Sequence, residues 1–193
     1  MVQWLNSPTR WGRIARVLHW SVALLVVTML GLGWAAELTE DRAASFALIR
    51  NHFQLGMLVF ALMVMRVAWR VSTRVPARVP GEPAWREAIA TAVHAVLYVL
   101  LLVMPISGYI IWVHMQADMT LFGMLRVPVL FTPDADDERL RAGAWYVHYY
   151  GQWSVIALVV LHVAAALWHD LVRRDATLAR MARPLRGQAA PAR

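Results

Sequence analysis

The sequence predicts an all-α membrane protein, a four-transmembrane-helix bundle, and three observations carry that reading. Hydrophobic residues fill 60% of the 193 positions, and the mean hydropathy is +0.49. A soluble domain of this size has too little interior to hide that much apolar surface, so the excess faces lipid. Four stretches, at about 17–36, 52–69, 88–113 and 146–170, each supply the roughly twenty mostly apolar residues that cross a bilayer. Trp11, Trp20, Trp34, Trp69, Trp85, Trp112, Trp145 and Trp168 cluster at the ends of these stretches, as an interfacial aromatic belt does.

The first span is expected to begin before its apolar run, with Ser7 as N-cap and Pro8 in the first helical position. The polar start Met1–Pro8 followed by a run of full spanning length reads as a membrane segment rather than a cleaved leader. In the third span, Pro105 followed by Ser107 and Gly108 is expected to bend the helix without ending it, because neighbours in a bundle satisfy the freed carbonyl. Residues 70–87, with Pro76, Pro80, Gly81 and Pro83, form a loop, and 114–145 a longer connection that is irregular or partly helical. The four-helix domain is placed at 1–180 and a disordered tail at 181–193.

Charge sets the orientation. No lysine is present, so all 19 Lys+Arg residues are arginines. Most lie in the N-terminal segment, the second connection and the C-terminal segment. The first and third connections hold only Arg42, Arg50, Arg126, Arg139 and Arg141, beside acids that include Asp134, Asp136, Asp137 and Glu138. The positive-inside rule then puts both termini in the cytoplasm of a multi-pass inner-membrane protein. The net charge of +7 is thus a topology signal and not a nucleic-acid surface. The absence of cysteine excludes disulfides, thiolate metal sites, iron–sulfur clusters and covalently attached c-type haem.

Seven histidines remain to be explained, and an imidazole within a membrane span is a functional candidate by default. His148 and His162 are fourteen residues apart on the fourth span. That is close to four helical turns, so they share one face about 21 Å apart along the axis. His52 opens the second span at the depth of His148, and His19 lies in the first span at the depth of His162. One imidazole on each of two facing helices clamps a haem plane. Iron held by two histidines has no open position for a substrate, which suits electron transfer. Gly56, Gly151 and Ala164–Ala166 offer clearance for a flat macrocycle. A zinc or copper site fits poorly, because it wants three or four ligands at one depth. Arg66, fourteen residues after His52, is read either as a partner for a propionate of the inner haem or as a snorkelling interfacial arginine.

Taken in order, the residues Arg16-Val17-Leu18-His19-Trp20, His52 with Gly56, His94 to Tyr98 running into Met104-Pro105-Ile106-Ser107-Gly108-Tyr109, His148, and Leu161-His162 to His169 resemble the prokaryotic cytochrome b561 family. The resemblance covers about residues 8–180. It implies a di-haem b protein with His19, His52, His148 and His162 as axial iron ligands, the same four reached from spacing. It also implies a quinone site near the cytoplasmic haem, where His94 and His169 remain available, with Arg74 or Arg78 to hold a quinone carbonyl. His169 is otherwise an interfacial partner of Asp170, and His114 has an ordinary place at a helix end.

Members similar to this sequence include superoxide oxidases, which pass electrons from superoxide through the outer haem to ubiquinone. Arg50, two residues before His52, supplies positive potential for an anion there, although the outer connections are acidic overall. The alternatives are a haem-b membrane subunit shuttling electrons between quinone and a separate periplasmic redox protein, or a redox-inactive bundle. Asp134–Glu138 is then a docking patch for such a partner or a solvated loop.

Overall fold

Each apolar stretch becomes one helix in the computed structural model, which describes residues 3–77, 79–133 and 138–182. The helices are α1 (Arg13–Leu38), α2 (Arg42–Ser72), α3 (Ala84–His114) and α4 (Glu138–Trp168). All four are long and apolar enough to span a membrane. Their apolar surface points outward: in the most apolar 18-residue window of α3 no residue is buried. Leu24, Val27, Val99 and Val160 are likewise exposed, as side chains are when lipid is the solvent.

The helices outrun the apolar stretches because polar ends can lie outside hydrocarbon. The consequence is clearest for His52. It does not open its helix but sits ten residues inside α2 (52 − 42), as His148 sits ten residues inside α4 (148 − 138). Asp41 starts α2 by accepting from the N–H groups of Ala43 (2.7 Å) and Ala44 (3.0 Å). These bonds hold its carboxyl below the usual carboxylate range.

The start of α1 departs from expectation. Ser7 caps only a local turn, its hydroxyl accepting from Arg10 N–H at 3.0 Å, and Gly12 precedes the helix with no side-chain cap. The chain before the helix folds back over its end, and the carbonyl of Gln3 accepts from Arg13 N–H at 3.0 Å. Backbone thus satisfies a donor that a side-chain cap would serve. Only glycine allows this approach: a Cβ at Gly12 would meet the carbonyl group of Leu5 at 2.5 to 2.6 Å.

α3 runs through Pro105 unbroken. The long third connection, expected to be irregular or partly helical, is helical from Glu138 and also carries a two-stranded antiparallel hairpin, β1 (Thr120–Leu121) with β2 (Leu125–Arg126). Two left-handed residues, Phe122 (φ 51°) and Gly123 (φ 71°), close it. Short turns of this kind favour glycine, and the pattern around them is too brief to stand out among loop residues. Tyr109 anchors the connection, donating to the Pro128 carbonyl at 2.8 Å and accepting from Leu130 N–H at 2.9 Å. Phe53 stacks on Trp112 at 4.6 Å, 6° from parallel, which stiffens this end of the bundle.

At the other end the segment around Asn6 and the segment around Arg180 meet the second connection. Asn6 donates to Thr73 Oγ1 and the Arg74 carbonyl, and Arg180 to the Ala77 carbonyl at 2.7 Å. α4 passes into a π-helical turn, His169–Arg173, and after Arg174 (φ 53°) a short α5, Ala179–Ala182, follows. Of the tail expected to be disordered at 181–193, Met181 and Ala182 belong to α5; residues 183–193, and Asp134, Asp136 and Asp137, lie outside the described residues.

In sequence order each helix packs on the next, but α4 packs its backbone extensively on α3 alone. It stands off from α1 and α2, and side chains of the three helices face one another across the gap. Gly12→Ala is expected to destabilise the α1 end by about 1–3 kcal/mol, the usual cost of overpacking, read as a lower thermal midpoint of the purified protein in detergent.

Candidate functional site

Four of the seven histidines meet in pairs across the gap between α4 and the first two helices. At the hairpin end the rings of His52 and His148 have centroids 5.9 Å apart, at 67°. At the termini end His19 and His162 are 6.1 Å apart, at 78°. The spacing on α4 and the entry direction of α1 and α2 thus bring together the two expected pairs.

The first pair is oriented by hydrogen bonds. His52 Nδ1 lies 3.0 Å from the carbonyl of Met29 on α1. A carbonyl only accepts, so this nitrogen carries the proton and Nε2 keeps a free lone pair. His148 Nδ1 lies 3.1 Å from the Met104 carbonyl and 3.0 Å from Ser107 Oγ. The serine hydroxyl itself donates to the same carbonyl at 2.8 Å. Ring N–H groups of metal-binding histidines are typically tied down in this way, which fixes the tautomer and aims the other nitrogen.

Glycines let both rings lie against backbone. A Cβ at Gly33 would meet His52 Cε1 at 3.5 Å, and one at Gly108 would meet His148 Cε1 at 3.2 Å. Gly56 faces Met29, and Gly151 faces the thioether of Met104. A cavity of about 430 Å³ surrounds this pair, lined by Val26, Leu30, Phe53, Val59, Leu101 and Val155 among others. Glu37, Ser45, Met115 and Trp145 carry the lining towards the hairpin end.

The second pair has a third imidazole beside it. His94 on α3 lies 5.2 Å from His162, at 72°. Arg66 donates to the Ala15 carbonyl at 3.2 Å and lies over the ring of Tyr98 at 5.6 Å. Arg70 is 5.8 Å from both Tyr98 and Trp11. Between the two sites, Val22, Val26, Val59, Met63 and Val155 form a buried apolar layer. Val155 is seven residues from His148 and seven from His162, so the layer separates the pairs evenly.

The remaining candidates divide. His94 joins the inner cluster. His169 does not: its Nδ1 is 2.5 Å from Asp175 Oδ2, so Asp175 rather than Asp170 is its partner. Burial opposes the charge of Asp175, but hydrogen bonds from the Thr177 hydroxyl, His169 and the Thr177 N–H outweigh it and hold the carboxyl below its usual range. Arg74 is exposed on the second connection, and Arg78 lies outside the described residues. His114 donates from Nδ1 to the Ile110 carbonyl at 2.8 Å and packs on Phe131, an ordinary helix-end role. Sequence reasoning missed Gly33, the contact of Gly108 with a ring, and the two carbonyls, none of which has a pattern to betray it. Tyr98, one turn after His94, was legible in principle.

The paired rings fit a haem. Two imidazoles bonding one metal ion from opposite sides, each at roughly 2 Å, have centroids about 6 Å apart, close to the distances of both pairs. The apolar lining and the glycine cradle suit a flat, largely apolar macrocycle, and Arg66 offers a cation for its carboxylates.

A four-helix membrane bundle with imidazoles paired across its interior defines a membrane cytochrome of the haem-b class, built for electron transfer. Residues 10–184 match the family described as prokaryotic cytochrome b561, and the chain belongs to it. It is 34% identical over 177 residues to "Cytochrome b561 homolog 2" of Escherichia coli (strain K12), covering 91% of this chain and 93% of that one. To "Cytochrome b561 homolog 1" of the same organism it is 27% identical over 175 residues, covering 89% and 96%.

Gly108→Val puts methyl groups where the His148 ring lies. It is expected to lower haem per chain relative to wild type while the protein still inserts and purifies, measured by a pyridine haemochrome assay. Unchanged haem content would show that the cradle is not needed.

Proposed function

We propose that the chain carries electrons across the bacterial inner membrane through two bis-histidine b haems, from superoxide at the periplasmic face to ubiquinone at the cytoplasmic face. The observation that carries this reading is the pair of imidazole clamps at two depths, separated by one apolar layer. His52 and His148 would hold the outer haem, and His19 and His162 the inner. Bound haem b supplies a reversible one-electron iron couple.

The protein's own groups do the rest. Iron held between the two imidazoles of a pair would have no open position for oxygen, which would favour outer-sphere transfer. The Met29 and Met104 carbonyls fix the N–H of each outer ring on Nδ1 and leave Nε2 as the ligand atom. The layer around Val155 excludes water between the clamps. Arg66 would supply the cation for a propionate of the inner haem. His94, beside His162, faces the quinone with His169, and Arg74 or Arg78 holds a quinone carbonyl. Arginine-rich segments at the termini end put that end in the cytoplasm. Arg50, exposed near the outer site, attracts the superoxide anion.

A second reading, in which a separate periplasmic redox protein is the donor, is favoured by one feature. The hairpin end exposes Phe122, Met124, Leu125 and Leu130, an apolar tip that suits a docked partner.

The two readings part on one assay. Purified protein given enzymatically generated superoxide and a soluble ubiquinone is expected to form quinol, with two superoxide consumed for each quinol, in the absence of any other protein. Haem that stays oxidised under a superoxide flux, yet is reduced by a co-purifying partner, would overturn the superoxide reading in favour of the second.

A further inference from the structure

The connection between α3 and α4 is unusually apolar for a loop in water. Between Asp118 and Asp134 the only charged residue is Arg126. The hairpin turns one face inward, where Met119 and Leu121 are buried against Phe53 and Trp112. Among the described residues nothing covers the other face. Phe122, Leu125 and Val129 are exposed there, and Met124 keeps 87% and Leu130 76% of its surface open. A patch of this kind marks an interaction surface, and its depth in the bundle identifies the partner.

Depth is read from the bonds that tie the connection to the helices. Gln54 donates from Nε2 to the Thr120 carbonyl at 3.5 Å, and it lies two residues deeper along α2 than His52. Tyr109, which holds Pro128 and Leu130, is two residues from Ser107, whose hydroxyl lies beside His148 Nδ1. The connection therefore folds down the flank of α2 and α3 to the level of the pair formed by His52 and His148. That pair stands about 10 Å from the plane midway between the two pairs, half of their spacing along α4. Val26, in the apolar layer at this plane, is also at the middle of α1. A hydrocarbon core reaches roughly 15 Å to either side of its own midplane. The patch is thus at the depth of lipid.

Backbone at that depth must have its polar groups satisfied by protein, and the bonds of this segment serve that need. Val127 N–H donates to the Met119 carbonyl at 2.9 Å, and Met124 N–H to the Leu121 carbonyl at 3.0 Å. Thr120 N–H donates to Asp118 Oδ1 at 3.1 Å. The Tyr109 hydroxyl serves the Leu130 N–H and the Pro128 carbonyl together. Pro128 itself has no N–H to satisfy.

We propose that residues 119–130 are seated in the leaflet at the hairpin end, with Phe122, Met124, Leu125, Val129 and Leu130 among acyl chains. Arg126, exposed on the same hairpin, reaches up to the lipid phosphates, its carbon stem staying in apolar surroundings as long basic side chains do. The seat continues the lipid-facing side of α3: Ile110 packs against the buried face of the hairpin, and Ile106, one turn deeper, is exposed. Phe53 and Trp112 line the cavity of the His52–His148 pair, so the hairpin backs that wall and separates it from lipid. A water-soluble protein finds no apolar tip to dock on. The seating requires only that the chain spans a membrane and holds whichever donor or acceptor is used.

The chain has no cysteine, so single cysteines can be labelled without further changes. Met124→Cys and Leu130→Cys, each carrying a nitroxide, are reconstituted as full-length, haem-loaded protein into vesicles of phosphatidylethanolamine and phosphatidylglycerol. Val99→Cys on α3 and Glu40→Cys between α1 and α2, both at exposed positions, serve as the lipid and water references. Power-saturation EPR compares collisions with oxygen, which concentrates among acyl chains, and with a water-soluble nickel chelate. Both hairpin labels are expected to follow Val99, with oxygen access several-fold above nickel access and the opposite order at Glu40. Wild-type haem per chain verifies that the labelled proteins are folded. Nickel access at either hairpin position equal to that at Glu40 would put the hairpin in water and overturn the proposal. A hairpin label shielded from both reagents would mean that protein covers the tip, a second copy or a partner, and would overturn it too.

Discussion

The hydrogen bond between an imidazole Nδ1–H and a helix carbonyl is the interaction on which the rest depends. A histidine inside an apolar bundle must place one N–H, because an unmet donor there costs free energy that lipid cannot refund. Met29 and Met104 supply the acceptors. Once Nδ1 is bound, only Nε2 is left as a ligand, and the two rings face each other across the gap. Gly33 and Gly108 follow from the same demand, since a ring that reaches a carbonyl must lie flat on the helix that bears it. So does the stand-off of α4 from α1 and α2: packed as tightly as on α3, it would leave no room between the rings.

The two ends of the bundle are built differently. The hairpin end is stiffened by stacked aromatics and by Tyr109 and Trp112, which tie the long connection to α3. The termini end is held by polar bonds among the N-terminal segment, the second connection and the C-terminal segment, and it gathers the arginines. On the proposed reading, one end offers a rigid rim to a diffusing donor, and the other offers charge and protons to a substrate that takes up both. The valine-rich layer between them is the insulation such a division requires.

Much of this was legible in the sequence. Spans announce themselves because lipid demands long apolar runs, and the fourteen-residue interval between His148 and His162 reports a shared face. Helix ends were not legible, because a polar turn added beyond the hydrocarbon leaves no apolar signature. That is why His52 proved to be ten residues inside α2. The cap of α1 was misassigned to Ser7 because a backbone carbonyl folded back from Gln3 does the work, and only the crowding at Gly12 reveals it. The Asp175 partner of His169 escaped notice because a regular helix brings together residues three or four apart. The π turn and the left-handed Arg174 bring together residues six apart.

The central claim is that the four imidazoles form two independent haem clamps. It is tested most directly by counting haem per chain, with oxidised and reduced spectra, in wild type, His52→Ala and His162→Ala. The account predicts two b haems in wild type, with each variant losing one spectrally distinct haem and keeping the other. A single haem in wild type, or both variants losing the same one, would contradict it.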